Sequence, residues 1–151
     1  MNVRASDESP VSDAFIQRMA SLQTRIVDAI AGYEKMAQRA EPEITRLISR
    51  YLAAHKRHNV ELSARLTSLG HVPDADGSFF SIVQRAVVEA RALFDYVGTN
   101  TLPQVVDGEG RILDLYRDVL DEAVVSTDRS MIERQMRDLS DLNSEAKAVS
   151  D

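Results

Sequence analysis

His55 and His58, three residues apart, are the side chains best suited to chemistry in this chain, because they interrupt what is otherwise the apolar face of a helix. At about 100° per residue, Ile44, Leu47, Ile48, Tyr51, Leu62, Leu66 and Leu69 share one face of the stretch Ile44–Leu69, and His55, His58 and Asn59 fall on that same face. Two imidazoles joined by a carboxylate would form a donor set for iron, manganese or zinc. Glu109, central on the inward stripe of a later helix, is the carboxylate so placed, which makes His55, His58 and Glu109 the candidate metal ligands. The same groups can instead satisfy one another by hydrogen bonding inside a core. On that second reading they belong to a polar cluster completed by Tyr33, Tyr51, Asn59, Tyr116 and Asn143.

Axial register separates the two readings. If the helices start level, Glu109 lies about seven residues from its end of the bundle and His55 about thirteen, an offset of about 9 Å at ~1.5 Å per residue. At that register Glu109 faces Tyr33, Tyr51 and Asn143; a slip of one or two turns brings it to His55. A complete di-iron centre would need Glu-x-x-His on two helices, and no such motif occurs.

Helices must carry these side chains. Phe15, Met19, Leu22, Ile26, Ile30, Tyr33 and Ala37 recur by threes and fours, predicting a first helix from Ala14 to about Ala40 with Ser12 or Asp13 as its cap. Asp28 projects away from that face, and Glu34 lies on its flank. Glu41-Pro42-Glu43 supplies a short turn, with Pro42 suited to the first turn of the next helix. That helix carries Glu61 on its flank and ends at Gly70, an expected left-handed cap. The loop of residues 71–77 contains Asp74-x-Asp76-Gly77, but a calcium loop would need Glu where Arg85 stands. Phe79 to Val97 reads as a purely apolar-faced helix opened by Ser78, and Gly98-Thr99-Asn100-Thr101 breaks the chain. Leu102–Val124 follows, with Val105, Val106, Leu113, Tyr116, Leu120 and Val124 inward. The last helix turns Ile132, Met136, Leu139, Asn143 and Ala146 inward, Gln135 and Leu142 to its edge, and Glu133, Asp138, Asp141 and Glu145 mostly outward. Gly108 and Gly110 flank Glu109 at roughly 1 kcal/mol each in a helix interior, which suggests close packing or a local distortion there.

Composition narrows the function classes. The 151 residues suit one domain, 13–151, after an unpatterned tail, 1–12, that is expected to be disordered. A net charge of −6 with interspersed signs provides no basic stripe for nucleic acid or anionic membrane. With no cysteine there is no thiol nucleophile or thiolate site, and the serines, mainly at caps and outward faces, form no Ser-His-acid spacing. Gly108-Glu109-Gly110 lacks the preceding strand of a dinucleotide fingerprint. No apolar run could span a bilayer and no signal peptide opens the chain, so a cytoplasmic location is expected.

Two hairpins separated by a helical segment of roughly thirty residues have the connectivity of an all-α, ferritin-like up-down four-helix bundle with one long crossover. Asp28 before Gly32-Tyr33, Glu61-Leu62 before Gly70, Gly77-Ser78, and Gly108-Glu109 before Tyr116 are further marks, and by them the chain resembles bacterial ferritin-like domains of unknown function. The resemblance covers most of residues 22–149. Members carry a second glycine after Gly70, a histidine near Gln84 and a His-Asp pair near Asn143-Ser144, none of which this chain has. The resemblance therefore implies the fold, with any metal site partly lost. The leading reading is a non-catalytic bundle, stress-associated or partner-binding and compatible with a homodimer, that needs no cofactor. The alternatives are a degenerate site for one iron, manganese or zinc ion, and a small-ligand pocket.

Overall fold

The computed structural model describes residues 11–75 and 101–150. The expected tail up to residue 10, the Asp76-Gly77 end of the calcium-like fragment, the Phe79–Val97 helix with its Ser78 cap, and the break over residues 98–100 lie outside the described residues. Four helices are described: α1 (Asp13–Ala37), α2 (Pro42–Ser68), α3 (Leu102–Glu122) and α4 (Ser126–Ser150), with no strand among the described residues.

Their ends follow local chemistry. Ser12 caps α1, its Oγ accepting from Phe15 N at 3.0 Å, one of the orphan donors of a helix start. α1 stops three residues short of Ala40, its exit tightened by bonds from Gln38 N to Lys35 O and Arg39 N to Met36 O. Pro42 disfavours helical geometry in the residue before it, and Glu41 is extended. α2 begins on Pro42 and ends in a Schellman motif: Gly70 has φ 82°, His71 N donates to Leu66 O, and Gly70 N donates to Thr67 O. α3 ends at Glu122, where extended Ala123 turns the chain. As a result Ala123 is buried and Val124, expected inside, is 63% exposed.

α1 packs on α2 and α3, and α4 packs on α3 and α2. Cross-helix pairs give the directions. Arg18 reaches Asp118 O and Glu122 while Tyr33 reaches Glu109, so α1 and α3 are antiparallel. Arg50–Glu145, Arg134–Glu61 and Arg65–Asp128 run in opposite order along α2 and α4. α2 and α3 are therefore parallel, and the end of one and the start of the other lie at opposite ends of the bundle. The core joins Phe15, Met19, Leu22 and Ile26 to Ile44, Ile48, Leu62, Leu66, Leu102, Val119, Ile132 and Leu139. No described helix is long and apolar enough to cross a membrane.

Candidate functional site

Through this apolar core runs a column of polar side chains. At its centre Glu109 of α3 is 1% exposed, and Tyr33 of α1 donates its hydroxyl to Glu109 Oε2 at 2.6 Å. His55 Nε2 of α2, fully buried, meets the same oxygen at 2.7 Å. This contact closes the offset expected for level helix starts: helical periodicity assigns a side chain to a face, and the axial slip between helices is set by their packing. The rings of Tyr51, Tyr33 and His55 stack in sequence, with centroids 5.4 and 5.7 Å apart. Burial, and next the Glu109 charge, push the Tyr33 phenol well above its ordinary range, which keeps it protonated and a donor. The Tyr51 phenol is raised for the same two reasons. It donates to Asn143 Oδ1 at 2.6 Å, and Asn143 Nδ2 reaches Val106 O at 3.4 Å.

His58 belongs to a second group. Its Nε2 lies 3.0 Å from Asp138 Oδ2 and its Nδ1 lies 3.4 Å from the Tyr116 hydroxyl. Tyr116 donates to Gln135 Oε1, Gln135 Nε2 donates to Glu61 Oε1, and Arg134 grips both Glu61 oxygens. Arg134 holds the Glu61 carboxyl below its ordinary range. Burial pushes the His58 imidazole down against the hydrogen bond to Asp138, which raises it. Asp138, expected outward, thus reaches in from its helix edge, and Gln135, expected at an edge, is fully buried.

Asn59 stands apart from both groups. Its Oδ1 accepts from Gln23 Nε2 at 2.9 Å and from Ser63 Oγ at 3.3 Å. Gln23 also accepts from Asp74 N and donates to Asp74 O, pinning the loop after α2 to α1. Sequence reasoning missed Gln23, although its position four after Met19 and three before Ile26 already placed it on the apolar stripe.

The geometry does not fit a metal centre built from His55, His58 and Glu109. Both ring nitrogens of His58 face other partners. Among the described residues, no three His, Asp or Glu side chains gather as a metal ion would require. Nor do Gly108 and Gly110 serve close packing among the described residues, where a Cβ on either would meet nothing within 4 Å. Among the described residues, the buried Glu109 Oε1 and His55 Nδ1 have no hydrogen-bond partner.

A column of paired polar side chains inside antiparallel helices defines a helical-bundle protein with a polar core. Residues 14–122 match the family model described as a domain of unknown function (DUF2383), and the chain belongs to that family. The match spans α1 to α3. Comparison with curated proteins and with solved structures gives no significant match.

Proposed function

We propose that this protein is a non-catalytic module of ferritin-like connectivity that works by binding, with its polar column holding the two hairpins in one register. Parallel α2 and α3, each beside an antiparallel partner, support that connectivity, since one long crossover is what such bundles need. The observation that carries the reading is Glu109 held through Oε2 by Tyr33 and His55 of the opposite hairpin, in a site closed to bulk water. A buried polar network specifies register through the groups it pairs across helices, here Glu109 Oε2 with Tyr33 and His55, whereas a general base has to reach a substrate proton.

Two measurements on the purified full chain test it. After supplementation with iron, manganese or zinc, the metal content should stay below about a tenth of an equivalent, since a formed site would hold its ion through purification. In urea unfolding, Glu109→Leu should lose roughly 2–4 kcal/mol, because two buried donors lose their acceptor. Glu109→Gln should lose about 1 kcal/mol or less, since one amide oxygen can take both hydrogens. Stoichiometric metal that disappears in E109Q would overturn the reading in favour of a one-metal site, for which His58 would have to leave Asp138.

A further inference from the structure

Two bidentate ion pairs clasp α2 to α4, Arg50 with Glu145 towards one end of their seam and Arg134 with Glu61 towards the other. Between them the seam opens into a cleft of about 290 Å³ whose walls differ in sign: Arg50 and Arg57 stand on the α2 side, Asp138 and Asp141 on the α4 side. At ~30 Å³ per water molecule, that is room for about ten waters or one small organic molecule. The α2 side chains between the two arginines here are Ala53 and Ala54, too short to fill the opening, and buried Ala54 and Leu142 give it an apolar floor.

The charges lining this cleft are open to solvent. The Asp138 side chain is 39% exposed and that of Arg50 48%, and Arg57 and Asp141 are exposed as well. Arg50 is neutralised by Glu145, and Asp138 gives Oδ2 to His58, which leaves Oδ1 to spare. Arg57 and Asp141 line the same cleft, yet neither makes a hydrogen bond or ion pair with the other or with any other described residue. A seam that pairs its opposite charges towards both ends thus leaves one of each sign unpaired in the middle, on opposite walls, with room for a molecule between them.

We propose that this cleft binds a free α-amino acid with a small aliphatic side chain, its carboxylate on Arg57, its ammonium on Asp141 and Asp138 Oδ1, and its side chain against Ala54 and Leu142. A guanidinium presents a fork of N–H donors that matches a carboxylate, and an ammonium brings several donors to carboxylates that only accept. With two charges of each sign in the lining, a lone anion meets the aspartates and a lone cation meets the arginines, whereas a zwitterion matches both walls. A few placed polar groups around an apolar floor are the make-up of a small-ligand site. The proposal rests on the reading of the protein as a module that works by binding and names its ligand class, but it uses none of the groups that hold Glu109.

The test is titration of the ¹⁵N-labelled full chain with L-valine, isobutylamine or 3-methylbutanoate. L-valine should give saturable shifts clustered on the amides of residues 50–57 and 138–142. Isobutylamine, which lacks the carboxylate, and 3-methylbutanoate, which lacks the ammonium, should each bind more weakly by about tenfold or more. Arg57→Gln and Asp141→Asn each alter one exposed side chain and should each weaken L-valine by about tenfold or more. Ala53→Leu, which fills the opening and keeps every charge, should abolish the shifts while the circular dichroism stays helical. An absence of saturation, either half-ligand binding as well as L-valine, or unchanged binding in any of the three variants would each overturn the proposal. Failure here leaves the stability difference between E109L and E109Q untouched, so the two readings fail separately.

Discussion

His58 shows what burial does to one side chain. It is 1% exposed, and Asp138, Tyr116, His55 and Arg57 are the groups that act on or face it. Desolvation outweighs the Asp138 hydrogen bond, so the folded protein takes up this proton at a lower pH than the unfolded chain, whose histidine titrates near 6.5. Across that interval the unfolded state binds more protons. Stability from neutral His58 should therefore be complete above the ordinary histidine value, drain away as pH falls below it, and level off beneath the lowered value. Urea unfolding at successive pH values, compared between wild type and His58→Gln, checks this: the slope in that interval should be present only in the wild type. Glu61, whose carboxyl is lowered mainly by Arg134, adds its own loss further into acid in both proteins.

At the level of the helix, two glycines should respond to the same substitution with opposite signs. Gly70, in the left-handed region at φ 82°, closes the Schellman end of α2. Gly70→Ala should cost about 1 kcal/mol, because a Cβ is strained in that conformation. Gly32 is helical, and a methyl group there meets nothing within 4 Å among the described residues. Gly32→Ala should therefore stabilise by roughly 0.5–1 kcal/mol through helix propensity alone. Equilibrium urea unfolding of the two variants checks the pair, and changes of the same sign would contradict the backbone account.

For the molecule as a whole, the polar column ties the hairpins to each other. Tyr33 and His55 meet α3 through Glu109, Tyr51 and His58 meet α4 through Asn143 and Asp138, and Arg65 of α2 holds the buried Asp128 of α4 at 2.8 and 2.9 Å. Neither hairpin can separate without stranding buried polar groups, which is costly for each group left unpaired. Unfolding should therefore be a single transition. Far-ultraviolet circular dichroism reports the helices, and near-ultraviolet dichroism reports Tyr33, Tyr51 and Tyr116; the two should trace one curve. A separate early loss of the tyrosine signal would mean that the hairpins part first.

Much of this arrangement is legible in the chain itself. The period of 3.6 turns Tyr33, Tyr51, His55, Glu109, Tyr116 and Asn143 inward, and Ser12, Pro42 and Gly70 mark helix ends by their backbone chemistry. Tertiary packing alone decided which of those groups meet. Periodicity gives the angle of a side chain about its own helix and is silent on how far one helix slides along another, so the contact of Glu109 with His55 and the turning of His58 to Asp138 had to come from the assembled bundle. The same holds for Asn59, drawn to Gln23 on the neighbouring helix, and for Val124, which the early end of α3 carries out to solvent.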